Sequence, residues 1–167
     1  MNKKLYIQET INWISQNDFD FLITLHFTEE VGRAKTEKAL TLFLNKLNND
    51  VFGNRSSKSL IQVPFIERNS YDNSFHIHIL CENPAKRGNR SHFEDPIYFR
   101  KLVKKCWRFS APEAAIKNMK IHEDNPLWIK RIDDQKRLIS YLLKQIAIDN
   151  LDVVEVDKLN FEGQRRF

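Results

Sequence analysis

Apolar positions at the start of the chain recur at helical spacing. Ile7, Ile11 and Ile14 fall on one side of a segment beginning near Leu5, and they predict a short helix over Leu5–Trp13. The period then changes. Phe21–Thr28, FLITLHFT, sets Thr24, His26 and Thr28 in alternation with Leu25 and Phe27, the pattern of a strand. Thr36 is placed to cap a helix running to about Asn49, with Ala39, Leu40, Phe43, Leu44 and Leu47 on one side. Ser59–Arg68 and Phe75–Glu82 read as the two strands of a hairpin, joined by the turn-forming cluster Asn69-Ser70-Tyr71-Asp72-Asn73. A basic loop follows, then a helix from about Asp95 to Phe109 with Pro96 in its first turn. A second hairpin is predicted from Lys117–His122 and Leu127–Arg131, and a last helix opens at Asp133 or Asp134 and runs to about Ala147. The stretch 151–167 reads as a weakly structured tail with a candidate strand at Leu151–Val156. With no internal repeat and no linker, the expectation is one α+β domain over 1–167 with an antiparallel sheet and flanking helices.

Composition narrows the class. Of the 167 residues, 41% are hydrophobic and 29% charged, enough for a core and a solvated surface. No apolar run approaches a membrane span and the start leads into no long apolar signal core, so we expect a cytoplasmic chain without a membrane partner. Cys81 and Cys106 make neither a disulfide framework nor a four-ligand zinc site on their own.

Charge adds a location. The net charge is +5, yet residues 86–108 hold Lys86, Arg87, Arg90, Arg100, Lys101, Lys104, Lys105 and Arg108 against only Glu94 and Asp95. The rest of the chain is close to balanced. A stripe of this kind suits a polyanion, since each neutralised phosphate releases counterions. Phe93, Tyr98, Phe99 and Trp107 are interleaved with it and would stack on bases if exposed. A solvated helix face over core aromatics is the plain alternative.

Two short patterns carry possible chemistry. In His76-Ile77-His78 the imidazoles project from one face of a strand, so both could meet one cation while Ile77 packs behind. Glu67, across the predicted turn, comes opposite His76 if the hairpin tip is near Tyr71, and a carboxylate beside imidazoles suits a hard or borderline divalent ion. A half-exposed histidine pair beside a surface glutamate is the alternative. In Arg137-Leu138-Ile139-Ser140-Tyr141-Leu142-Leu143-Lys144-Gln145, helical spacing gathers Ile139, Leu142, Leu143 and Ile146 in one arc. Tyr141 falls nearly opposite, beside Arg137, Lys144 and Gln145. Flanking cations favour the phenolate, the form that attacks as a nucleophile. A surface tyrosine shielding its helix is again the alternative.

Taken together and in order, these segments resemble the HUH endonuclease superfamily, in particular rolling-circle replication initiator (Rep) proteins. FLITLHFT resembles the first motif, FHIHILCE (Phe75–Glu82) the histidine–hydrophobe–histidine strand, and LISYLLKQ (Leu138–Gln145) the tyrosine motif, with a lysine three residues after the tyrosine. The resemblance implies a ferredoxin-like or RRM-like palm. It implies Mg²⁺ or Mn²⁺ held by His76, His78 and Glu67, Tyr141 as the nucleophile toward single-stranded DNA, and Lys144 as its helper. Arg87, Arg90, Arg100, Lys101, Lys104, Lys105 and Arg137 would contact DNA, with single-stranded or hairpin DNA at an origin as the partner.

Order also discriminates within the superfamily. Conjugative relaxases place the tyrosine before the histidines, whereas Tyr141 follows His76 and His78. Single-strand transposases share the order seen here, and some use a glutamine four residues after the tyrosine as third ligand, so Gln145 competes with Glu67. The Tyr–x–x–Lys spacing and the first motif favour the Rep-like set with Glu67. His26 departs from the small polar residue usual in the first motif; contact with DNA or metal stands against a satisfied sheet histidine. An RRM-like binder without catalysis is the reading from a different class. No phosphate-binding Gly-x-x-x-x-Gly-Lys-Ser/Thr loop occurs, so unwinding and synthesis would fall to a host helicase and polymerase. With one catalytic tyrosine, the protein is expected to work as a monomer or homodimer.

Overall fold

Strand alternation and the hairpin turn together dictate the sheet. In the computed structural model, which describes residues 3–27, 29–68, 74–87, 91–111, 128–144 and 154, the elements run α1 (Lys3–Ile14), β1 (Phe21–His26), α2 (Arg33–Phe52), β2 (Gln62–Arg68), β3 (Phe75–Cys81), α3 (Pro96–Ser110), β4 (Ile129–Arg131) and α4 (Gln135–Leu142). The four strands form one antiparallel sheet in the order β2-β3-β1-β4. From β1 to β4 this is the βαββαβ arrangement of a ferredoxin-like palm, with α1 and α4 added before and after it. The expected α+β class and antiparallel sheet are therefore present.

The two sheet faces are covered differently. Phe21, Ile23, Leu25, Ile66, Ile77, Ile79 and Cys81 look toward α2 and α3, whose Leu40, Phe43, Leu47, Phe99, Val103 and Trp107 complete the larger core. On the other face Val63, Phe65 and Leu80 meet Ile11 and Ile14 of α1 and Ile139 and Leu142 of α4. Period-2 strands between amphipathic helices on both sides account for this three-layer arrangement.

Several boundaries depart from the sequence reading. α2 begins at Arg33, a turn earlier than expected. Gly32 is the N-cap, and Thr36 lies buried inside the helix with its hydroxyl donating to the Gly32 carbonyl at 3.2 Å. An Arg33–Glu37 ion pair at 2.6 Å supports that extra turn. Asp95 and Asp134 cap α3 and α4 as anticipated, accepting from Ile97 N and Arg137 N. Phe93, Phe99 and Trp107 are buried, which removes them as stacking surfaces for bases; Tyr98 stays about half exposed. Both cysteines are free and buried.

At the sheet margins, β4 has three residues. β2 contains Pro64, and its Phe65 makes an isolated antiparallel bridge to Val154, inside the candidate strand Leu151–Val156. The remainder of that strand lies outside the described residues, as do the turn 69–73, the predicted strand Lys117–His122, Arg90, Gln145 and Ile146. No helix among the described residues is long and apolar enough to cross a membrane.

Candidate functional site

Register decides what stands beside what. Residues directly opposite in antiparallel strands share a face. On the face covered by α1 and α4 this generates successive rows: Val63, Leu80 and Leu22; then Phe65, His78 and Thr24; then Glu67, His76 and His26. The face therefore grades from hydrocarbon under the helices to imidazole and carboxylate at one end of the sheet. Glu67 does come opposite His76, as the turn position required.

Within these rows His78 is the best-held side chain. Its Nε2–H donates to Glu67 Oε2 at 3.0 Å, diagonally across the strands, and Nδ1 lies 3.1 Å from Thr24 Oγ1. A carboxylate on Nε2 assigns the proton there in the neutral ring and leaves Nδ1 to accept from the threonine hydroxyl. The hydrogen bond from His78 holds the Glu67 carboxyl below its usual value, against the opposing push of burial. The charges of His78, Lys144 and His76 act in the same direction. His76 packs edge-to-face on His26 with ring centroids 4.4 Å apart. Desolvation, followed by the neighbouring His76 and His78, lowers the His26 pKa to about 4. His26 is thus a full member of the cluster. Its alternation with Thr24 put it on this face, but only the pairing of β1 with β3 brings it to His76.

The donor chemistry suits a divalent cation. An ion on Nε2 would require the proton to sit on Nδ1, which would then donate to Thr24 Oγ1, an outer partner of the kind that orients a metal-binding imidazole. His76, His78 and Glu67 are the side chains that would hold the ion. They do not form a ready-made trio: among the described residues no group of three His, Cys, Asp or Glu side chains is gathered for a metal.

α4 comes to the same face. Its buried Ile139 and Leu142 anchor it, as the helical spacing required. Gln135 clasps the turn between α1 and β1, accepting from Phe19 N at 2.9 Å and donating to Asn17 O at 2.7 Å. Tyr141 is 56% exposed, on the outer side of the helix. The Lys144 ammonium sits 3.6 Å from the Tyr141 ring centroid, so lysine holds the ring rather than the hydroxyl. The Lys144 charge is one of the lesser influences that lower the Glu67 pKa. Arg137 is exposed on the same helix.

The basic stripe is elsewhere. Arg100, Lys101, Lys104 and Lys105 belong to α3, which packs against the opposite face of the sheet. Arg87 lies beyond the far end of β3, where its Nε pairs with buried Glu82 at 2.8 Å. Compared with known proteins, the chain matches no family model, no curated protein and no solved structure.

Proposed function

We propose that this protein is a metal-dependent nicking and joining enzyme for single-stranded DNA, of the Rep-like HUH type, acting in the cytoplasm to initiate rolling-circle replication of a plasmid or phage. One observation carries the reading: Glu67, His76 and His78 stand on the sheet face against which the tyrosine helix packs. The ferredoxin-like palm supports it as a compatible frame.

The residues divide the work. Tyr141 supplies the oxygen that attacks phosphorus; the bond to the 3′-oxygen breaks, the phenol gives up its proton and the 3′-oxygen gains one. The products are a 5′-phosphotyrosyl enzyme and a 3′-hydroxyl that can prime synthesis, and attack by a 3′-hydroxyl reverses the step. Lys144 fixes the ring and places positive charge near the phosphate. Thr24 holds the His78 ring in one orientation. Mg²⁺ or Mn²⁺, when bound by His76, His78 and Glu67, supplies polarisation of the scissile phosphate and offsets developing charge.

The test is incubation with labelled single-stranded DNA and Mn²⁺ followed by denaturing electrophoresis. A covalent adduct mapped to Tyr141 is expected. Its absence on every origin and element end tried would leave the RRM-like binder as the better reading. Glu67→Ala should weaken metal use more than Gln145→Ala; the reverse ranking would favour a transposase-like ligand set.

A further inference from the structure

His26 is the imidazole of the sheet cluster that has no assigned task. Its neighbours in β1 and just beyond decide which way it points. Leu25 is buried in the larger core and Phe27 packs against that core, edge-to-face on Trp107 at 5.2 Å. Alternation therefore sends the His26 side chain to the opposite face, the one that carries His76 and His78. The backbone at this point is also tied down, because Trp107 Nε1 donates to the His26 carbonyl at 3.2 Å. A tether through the core on one face thus fixes the origin of an imidazole on the other.

His26 differs from its neighbour His78 in what its ring does. His78 commits both nitrogens, one to Glu67 and one to Thr24. Among the described residues the His26 ring makes no hydrogen bond; its contact is with the His76 ring, at 4.4 Å between centroids and 66° between planes. It also keeps solvent contact. A satisfied sheet histidine would have a partner for its ring nitrogens, and within the described protein this one does not.

Register places that ring in a row of potential donors. Glu67, His76 and His26 stand directly opposite one another on β2, β3 and β1, with His76 in the middle. Adjacent strands are about 4.8 Å apart, so the two outer members start about 10 Å from each other and flank His76 from either side. His78, one row along, leans back to Glu67 at 3.0 Å. Among the described residues these side chains are not already closed on one point. The row is set by the backbone, and closing it on an ion is left to side-chain torsions, which are soft beside a hydrogen-bonded sheet. The composition of the set then matters. Three imidazoles and one carboxylate suit Mn²⁺, Zn²⁺ and similar first-row ions, whereas Mg²⁺ holds its waters and takes oxygen ligands.

We propose that His26 is a further metal ligand, contributed by β1, which completes a set of three imidazoles and one carboxylate and selects Mn²⁺ and Zn²⁺ over Mg²⁺. This rests on the reading above for the presence of an ion at His76, His78 and Glu67. The experiment is calorimetric titration of the full chain with Zn²⁺, Mn²⁺ and Mg²⁺, for wild type, His26→Ala, His26→Phe and His76→Ala, with circular dichroism to confirm folding. Wild type should bind Zn²⁺ and Mn²⁺ more tightly than Mg²⁺. Both His26 variants should lose at least roughly ten-fold in Zn²⁺ affinity, the lower bound for removing even an outer partner of a ligating imidazole, with a much smaller change for Mg²⁺. His26→Phe keeps a ring against His76 but brings no nitrogen, so its loss separates ligation from packing. In the ¹⁵N-labelled wild type, Zn²⁺ should shift a ring nitrogen of His26 together with those of His76 and His78. Wild-type metal preference in His26→Phe, or a His26 ring nitrogen unmoved while the other two shift, would overturn the assignment of His26 and leave the other three ligands standing. Reduced affinity for single-stranded DNA in EDTA, with metal preference intact, would overturn it in favour of a DNA contact. Absence of metal binding by wild type, or binding that survives His76→Ala, would overturn the metal site as a whole, and adduct formation scored in parallel reports on nicking separately.

Discussion

α3 and α4 are both amphipathic helices with cations on their outer sides, and they lie on opposite faces of one sheet. α3 closes a face whose inward residues are hydrophobic along its length, and it contributes Phe99, Val103, Cys106 and Trp107 to the core. α4 covers a face that is hydrophobic across the Val63–Leu80–Leu22 row and at Phe65, then turns polar toward His76. The difference separates two uses of one helix pattern. Where the covered face is apolar throughout, the helix contributes to the core along its whole inner side; where the face grades into imidazoles, the helix buries Ile139 and Leu142 on the apolar part alone.

The sharpest way to break this contrast is at Tyr141. Tyr141→Phe should abolish adduct formation while leaving the thermal midpoint and single-strand affinity near wild type, because the ring and its lysine remain and only the attacking oxygen is lost. His76→Ala or His78→Ala, or chelation with EDTA, should likewise abolish cleavage but spare most DNA binding, read by mobility shift. On the opposite face the largest expected effect is on stability instead: Trp107→Ala should cost about 3–5 kcal/mol in urea unfolding. Thr24→Val should be intermediate, lowering Mn²⁺ affinity by roughly ten- to a hundred-fold in calorimetry as His78 loses its orienting partner. The smallest effect belongs to Asp50. Burial pushes its carboxyl up, but Lys46 and Lys105 outweigh that and hold it below the ordinary 3.8. A lowered folded pKa stabilises above the ordinary value and is lost as pH falls through the lowered one. Asp50→Asn should therefore cost less than ~1 kcal/mol at neutral pH, with the gap to wild type closing at more acid pH than 3.8.

Much of the polar end of the sheet was legible because hairpins fix register: a turn centred near Tyr71 dictates that Glu67 faces His76. The buried side of α4 followed equally directly from the spacing of Ile139 and Leu142. The side of the sheet taken by α3 was not legible, because a charge pattern tells which way a helix faces outward but not which sheet face it closes. Its aromatics were ambiguous for a related reason: Phe99 and Trp107 occur among lysines in sequence but lie on the inner arc. Gly32 as the α2 cap was missed because Thr36 is the stronger capping residue type, while the Arg33–Glu37 pair that favours the earlier start is a tertiary-independent but weak contribution. His26 needed the strand order, a long-range property, to become a neighbour of His76.

The sheet margins have a consequence for assembly. An exposed strand with a full row of free backbone groups invites pairing with another chain, and repeated pairing leads to aggregation. Here one margin is the three-residue β4 and the other is β2, where Pro64 has no N–H to offer and Val154 already bridges Phe65. Over the described residues neither edge offers a long uninterrupted template. Pairing of two copies through the described part of either edge would therefore engage only a few backbone groups.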